Sequence, residues 1–362
     1  MQVNGCITMS KFLINKYQPL EAYVPGEQPR NMEYVKLNTN ESPFPPSQGV
    51  IDRISAEEVS KLKLYPDPDC KVLRSKLAKL YNVEAENVFI SNGSDEILSF
   101  SFMAFCSEQT GAVFPDISYG FYKVYGDLYG VNYTQAPLND DFTINVDDYI
   151  NAGRTVVIAN PNAPTGLTIS LEDIERILKS NPNNVVLIDE AYVDFGGTSC
   201  VELTKKYENL LVVQTFSKSR SMAGARLGFA IGSKALIGDL NRIKYSTNPY
   251  NINRLTLAAG EAAVDDNDYY VQNCKEIISV RECSEERLSR LGFTYTKSKA
   301  NFIFAKSNSI SGGDLYKKLK ERGVLVRHFG NSVIADYVRI TVGTKEQMDR
   351  LFKEIENILK EV

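Results

Sequence analysis

Short apolar runs alternate with amphipathic stretches between residues 85 and 245, the pattern of a mostly parallel sheet covered by helices. Residues 155–159 (TVVIA), 185–188 (VVLI) and 210–213 (LLVV) are apolar without alternation, as expected of central parallel strands buried on both faces. Between the first two, Ser170 with Asp173 resembles a capping box, and Leu171, Ile174 and Leu178 recur at helical spacing, so this is a βαβ segment. Further on, 301–305 and 337–342 read as strands, and Met348, Leu351, Phe352, Ile355, Ile358 and Leu359 share one face of a final helix. A smaller α+β lobe therefore follows the large one. The polar stretch STNPYNIN interrupts the helical pattern around 248–253. With the boundary there, the expected organisation is an arm at 1–40, containing Pro19, Pro25, Gly26 and Pro29, a large domain at 41–250 and a small C-terminal domain at 251–362.

Composition narrows the function classes. With 362 residues, 43% of them apolar, the chain is large enough for two packed cores. Its 41 basic and 45 acidic residues give a net charge of -4 with no block of one sign, which argues against a nucleic-acid partner. The six cysteines, at 6, 70, 106, 200, 274 and 283, lack the spacing of a zinc clip or redox pair and read as reduced structural thiols. A single histidine, His328, leaves little material for a His-based metal site or a Ser-His-Asp triad, and no metal is expected. The N-terminal MQVNGCITMSKFLINKY has no long apolar core behind basic residues, and no later run is long enough to cross a bilayer, so the expected location is the cytoplasm, with no membrane partner.

In an open α/β sheet, ligands bind beyond the carboxyl ends of the strands. The run at 155–159 leads into NPNAPTG at 160–166, the run at 185–188 into Asp189-Glu-Ala-Tyr192, and the run at 210–213 into Thr215-Phe-Ser-Lys218. An acid, a phenol and an amine thus meet at one sheet edge. Any one of them alone is an ordinary surface or structural residue; their shared edge is the signal.

These three endings, in this order, resemble the signature of the fold-type-I aminotransferases that use pyridoxal 5'-phosphate, and the resemblance covers essentially the whole chain. The segments YVPG at 23–26, LNTNESP at 37–43, YPD at 65–67, GSDE at 93–96 and RITVG at 339–343 narrow it to the histidinol-phosphate branch. The resemblance implies a large domain with a seven-stranded, mostly parallel sheet and a small C-terminal domain. It also implies a homodimer, with the arm lying on the small domain and the partner subunit. The cofactor needs an amine to hold its aldehyde as a Schiff base and then to move a proton between Cα and C4′. Lys218 is the candidate. By the family pattern Asp189 pairs with the pyridine nitrogen and Tyr192 with the ring hydroxyl. Ser94, Asp95 and Glu96 at a helix N-terminus, with Ser217 and Arg226, hold the phosphate, although an isolated Ser94 to Glu96 segment would more readily be an ordinary capped helix. Tyr119 matches the aromatic that stacks on the ring, with a core or surface role as its alternative among twenty tyrosines. Tyr65 matches the tyrosine that reaches the phosphate in the partner subunit.

One position departs from the pattern: relatives carry asparagine immediately before Pro-Thr-Gly, where this chain has Ala163. Asn162 could take over that contact, or Tyr192 could hold the hydroxyl alone. On the substrate side the resemblance assigns Tyr23, Asn40, Arg327 and Arg339, with Arg339 as the carboxylate clamp; for Arg327 a solvated charge at a strand end is the alternative. The implied reaction is ping-pong exchange between L-histidinol phosphate with 2-oxoglutarate and imidazole-acetol phosphate with L-glutamate, in histidine biosynthesis. A threonine-phosphate decarboxylase, an aromatic aminotransferase and a non-catalytic pyridoxal-phosphate-binding protein remain alternatives of the same fold.

Overall fold

The computed structural model of the chain describes residue 10 and residues 12–21, 23–29 and 31–361. Its strands are β1 (Val35–Lys36), β2 (Val88–Ser91), β3 (Ala112–Pro115), β4 (Tyr133–Ala136), β5 (Thr155–Ala159), β6 (Val186–Asp189), β7 (Leu210–Thr215), β8 (Gly228–Gly232), β9 (Phe293–Tyr295), β10 (Phe302–Ser307), β11 (Val324–Leu325), β12 (Arg327–His328) and β13 (Tyr337–Thr341). The α-helices are α1 (Gln48–Arg53), α2 (Ala56–Ser60), α3 (Lys71–Leu80), α4 (Ser94–Phe105), α5 (Phe121–Tyr129), α6 (Leu171–Ser180), α7 (Lys234–Thr247), α8 (Arg254–Asp265), α9 (Asn267–Arg290), α10 (Gly312–Glu321) and α11 (Lys345–Leu359).

Seven strands form the large sheet in the order β2-β8-β7-β6-β5-β3-β4. All neighbours are parallel except the two pairs made by β8, which runs against β2 and β7. The expected α/β sheet is present. Its central runs are buried on both faces because alternate residues serve two different cores. Val156, Ile158, Val186, Ile188, Leu210 and Val212 face α3, α6 and α8, whereas Val157, Leu187, Leu211 and Val213 face α4, α5 and α7. The apolar stripe of α6 follows from its sequence: Ser170 caps the helix by accepting from the Asp173 N–H, and Ile174, Ile177 and Leu178 are buried. Burying each such side chain is worth about 1.5–3 kcal/mol. Strand β6 runs one residue beyond the apolar run because Asp189 stays in register with both Ala159 and Val213.

The C-terminal body is a four-stranded antiparallel sheet, β12-β13-β10-β9, packed against α9, α10 and α11. Thr344 and Gln347 form a capping box at the start of α11, whose Met348, Leu351, Phe352, Ile355 and Ile358 are buried. Residues 248–253 join α7 to α8, both of which pack on the large sheet. The passage to the second core falls inside α9, where Tyr270 belongs to the large core and Cys274 and Ile277 to the small one. Strand β1 pairs in parallel with β11, and Leu37 bridges Leu325 and Thr341 through backbone hydrogen bonds of 2.8 and 2.9 Å, so residues 35–40 are stitched to the C-terminal body.

Cys70, Cys106, Cys200, Cys274 and Cys283 carry free thiols. Cys6 and most of the N-terminal stretch read for targeting lie outside the described residues. No helix among the described residues is long and apolar enough to cross a membrane.

Candidate active site

The carboxyl ends of β2, β3, β5, β6 and β7 share one edge of the large sheet, and the reversal of β8 brings its amino end to the same edge. Lys218 follows β7 after Phe216 and Ser217, whose N–H groups bond the Leu227 carbonyl at 2.9 Å and the Thr215 hydroxyl at 3.1 Å. The Lys218 Nζ donates to the Thr39 carbonyl at 3.2 Å and lies 5.8 Å from the centre of the Tyr192 ring. Burial, reinforced by the charge of Arg339, pushes its ammonium down to about 8. Desolvation disfavours the charged form of an amine, which makes it a better nucleophile near neutrality.

Asp189 ends β6 and is 4% exposed. Its Oδ2 accepts from the Tyr122 hydroxyl at 2.9 Å and its Oδ1 from the Ala191 N–H at 3.2 Å. Burial pushes this carboxyl up to about 6 against those two hydrogen bonds, and among the described residues it has no cationic partner. A buried carboxylate of this kind calls for a cation from outside the chain. The adjacent Glu190 turns away, accepting from Ser199 at 2.6 Å, the Cys200 N–H at 2.6 Å and Gln214 at 2.8 Å, and so fastens the loop after β6. Tyr192 stands edge-on to Phe302 at 5.1 Å and accepts at its hydroxyl from the Asn40 amide at 3.0 Å.

At the start of α4, Arg226 donates to Asp95 at 3.0 Å and to the Ser217 hydroxyl at 3.4 Å, and Asp95 also accepts from the Tyr119 hydroxyl at 2.7 Å. Gly93 has a φ of +76°, and a Cβ there would lie 2.6 Å from Arg226 Nη2. A Cβ on Gly228 would lie 2.6 Å from the Ser94 nitrogen. Gly93 therefore leaves space for the guanidinium and Gly228 lets β8 lie against the backbone at the start of α4, whose first-turn N–H groups no helix can satisfy internally. Two donor systems converging on one point form an anion cradle. Glu96 is turned back, accepting from the Asn92 N–H at 2.7 Å and from Asn251 at 2.5 Å, and so closes the loop ahead of the helix.

Arg339 lies at the centre of β13, directly opposite Arg327 on β12. Like charges so placed repel, yet neither side chain has an acidic partner among the described residues. Arg339 donates to the Asn38 carbonyl at 3.1 Å and its Nε is buried without a partner; Arg327 reaches only the carbonyls of Val24 and Pro25, at 3.3 and 3.4 Å. Phe329 lies 5.8 Å from both guanidinium centres. Tyr23 packs on Phe121 at 4.3 Å and on Tyr119 at 6.4 Å, so the arm joins the aromatic cluster beside the site. Burial raises its phenol, while Arg327 and Arg339 pull the other way.

Two sequence candidates are placed differently. The Asn162 amide is committed to its own loop: it accepts from Ser118 at 2.7 Å and donates to the Ile117 carbonyl at 3.0 Å and to Thr165 at 3.2 Å. Ala163 packs with Ala300, Phe302 and Tyr192. Tyr65 is 77% exposed and stacks on Tyr250 at 4.5 Å, outside the assembly around Lys218. Asn40 is brought in, but its Oδ1 is taken by the Thr341 hydroxyl at 3.0 Å and its Nδ2 by Tyr192, so it orients the tyrosine. Residues that sequence reasoning missed are Tyr122, the Thr39 carbonyl and Phe329; of these only Tyr122, one helical turn after Tyr119, had a spacing that could have marked it.

The family model for aminotransferase class I and II matches residues 32–355. The chain is similar to a histidinol-phosphate aminotransferase of Brachyspira hyodysenteriae, 50% identical over 353 residues, covering 97% of this chain and 100% of that protein. It is also similar to a histidinol-phosphate aminotransferase of Clostridium beijerinckii, 48% identical, covering 97% of this chain and 98% of that one. Among solved structures, histidinol-phosphate aminotransferase from Sinorhizobium meliloti, in complex with pyridoxal-5'-phosphate, superposes with a TM-score of 0.87 at 21% identity, over 98% of this chain and 99% of that one, and shares the fold.

Proposed function

Because the chain belongs to the aminotransferase class I and II family, and is therefore a transaminase dependent on pyridoxal phosphate, we propose that it exchanges the amino group of L-histidinol phosphate with 2-oxoglutarate, yielding imidazole-acetol phosphate and L-glutamate in histidine biosynthesis. The carrying observation is the pair Arg327 and Arg339, opposite each other with no acid between them. A guanidinium fork binds a carboxylate or a phosphate bidentately, so one pocket suits both the phosphorylated amino alcohol and glutamate. Five cationic side chains, Lys36, Lys218, Arg226, Arg327 and Arg339, share this region with three carboxylates, Glu41, Asp95 and Asp189. That surplus of positive charge matches a cofactor phosphate plus one more anion.

The residues fit the cofactor. Bound pyridoxal phosphate supplies an aldehyde that takes up the amino group and a cationic ring that accepts the electrons of the broken Cα–H bond. Lys218 would hold the aldehyde carbon and, once free, would carry a proton between Cα and C4′, a task helped by an amine whose basicity burial has lowered to about 8. Asp189 would pair with the ring nitrogen, Tyr192 with the ring hydroxyl, and Tyr119 would cover the ring face. Ser217, Arg226 and the first-turn N–H groups at Ser94, Asp95 and Glu96 would hold the phosphate, with the Asp95 carboxylate fixing Arg226. Tyr23 closes the substrate side. Tyr192 is the ring-hydroxyl donor in this reading, since Asn162 has no free amide hydrogen bond to offer.

The exposed Leu62, Leu64, Tyr65, Val72 and Tyr250 support a homodimer in which Tyr65 enters the site of the partner subunit. The free thiols support a reducing compartment, the cytoplasm. The test is a panel of histidinol phosphate, phenylalanine, tyrosine, aspartate and threonine phosphate with 2-oxoglutarate, following carbon dioxide in parallel. Histidinol phosphate is expected to have the highest kcat/KM and R339A to lose at least a hundredfold of it. Release of carbon dioxide from threonine phosphate with histidinol phosphate inert would replace this reading by the decarboxylase.

A further inference from the structure

Tyr122 is fully buried, 0% exposed, one turn after Tyr119, whose carbonyl accepts its N–H at 3.1 Å. The two rings meet edge-on at 5.8 Å and 85°. Tyr119 directs its hydroxyl to Asp95, and Tyr122 directs its own to Asp189 Oδ2 at 2.9 Å. With the Ala191 N–H on Oδ1 at 3.2 Å, each Asp189 oxygen carries one donor and keeps one acceptor site open. Two donors on two oxygens fix the rotation of the carboxylate about its Cβ–Cγ bond. The phenol loses a proton far less readily than the carboxyl does, because burial raises it well above the ordinary range, and so it remains a donor. A donor to the ionised form of an acid favours that form. The other ionisable groups that face Asp189 are Asp95, which disfavours its charge, and the phenols of Tyr125 and Tyr192; Tyr119 faces the Tyr122 phenol.

We propose that Tyr122 is a positioning residue for transamination: its hydroxyl aligns the Asp189 carboxylate and keeps it ionised against the ring nitrogen of the cofactor, and so sets the protonation of the bound ring. The inference rests on the assignment of Asp189 to that nitrogen. Phe114 packs on the Tyr122 ring at 5.8 Å, so Tyr122→Phe keeps the ring in place and removes one oxygen atom.

The experiment uses the purified holoenzyme and its Y122F, D189N and double variants. Three quantities are read: the pH titration of the cofactor's visible absorbance, cofactor affinity by titration of the apoprotein, and the melting temperature of the apoprotein. In Y122F the absorbance pKa is expected to move upward, in the same direction as in D189N but less far, and cofactor affinity to fall about tenfold. Packing alone would not shift the absorbance titration. The double variant is expected to match D189N, because Tyr122 acts through that carboxylate. A Y122F titration identical to wild type beside a shifted D189N overturns the role of Tyr122, as does a double variant with additive losses. A D189N protein that titrates and binds as wild type overturns the assignment of Asp189 itself. Should Y122F fail to fold, Tyr122→His, which retains a donor, is expected to keep the wild-type titration, and a shift to the D189N value would overturn the proposal.

Discussion

The side-chain amide of Asn40 donates to the Tyr192 hydroxyl at 3.0 Å, tying the segment ahead of the large body to the loop behind β6. Asn40 also adopts a left-handed φ of +55°, which asparagine tolerates better than most residues. Replacing it by alanine removes two side-chain hydrogen bonds, one of them buried, and adds backbone strain, whereas glycine removes the bonds alone. Thermal unfolding is expected to place N40A below N40G, and N40G below wild type by about 1–3 kcal/mol; both should bind pyridoxal phosphate more weakly. Equal stability of the two variants would deny the backbone contribution.

The depressed basicity of Lys218 has a kinetic consequence. Its amine becomes neutral as pH rises through about 8 rather than through the ordinary lysine range near 10.5. The rate at which apoprotein captures pyridoxal phosphate is expected to climb between pH 7 and 9 and then level off, read by stopped-flow absorbance. Arg339 contributes to the shift, so R339A should move the midpoint upward.

Asp189 predicts a stability difference of definite sign. Its carboxyl titrates near 6 in the folded apoprotein against 3.8 as the reference, so the native state holds a proton that the unfolded state releases. Its contribution to stability therefore falls as pH rises from about 4 to about 6, and the cost persists above that. Apo D189N is expected to be more stable than apo wild type at pH 8, by up to about 3 kcal/mol, with the gap closing near pH 4. The same substitution should weaken cofactor binding, so the holoenzymes rank in the opposite order.

Gly93 offers a test of the anion cradle. Its positive φ strains any side chain, and a Cβ 2.6 Å from Arg226 Nη2 would push the guanidinium off its place. G93A is expected to lower cofactor affinity by at least tenfold and to reduce inorganic phosphate binding to the apoprotein, both measurable by calorimetry. An unchanged phosphate affinity would place the anion elsewhere.

Much of this site was legible because strand interiors and chemistry adjoin in the chain. The run at 155–159 became β5 residue for residue, since both of its faces are covered by apolar helices. The run at 210–213 stopped too early: Gln214 and Thr215 continue β7 as buried polar residues, with Gln214 satisfied by Glu190 and by the Tyr81 hydroxyl at 2.6 Å. No local pattern marks a polar side chain whose partners lie on other elements. Arg226 was reachable only through family resemblance, because it precedes a strand, and nothing in a short apolar segment reveals that β8 runs backwards. Asn162 looked available by type and position, yet its loop consumes every polar atom of its amide. Tyr122 was hidden among neighbouring tyrosines, and its importance depends on where a single hydroxyl points.

The pairing of β1 with β11 sets an order of assembly. Val35 and Lys36 are synthesised long before their partners, Val324 and Leu325. Until those emerge, the parallel strands around Lys218 can pack against their helices, but the segment carrying Asn38, Thr39 and Asn40 has nowhere to dock. A ribosome-bound chain can therefore own its lysine and its sheet while lacking the wall that closes over them. Closure of the site thus depends on a contact between segments far apart in the chain.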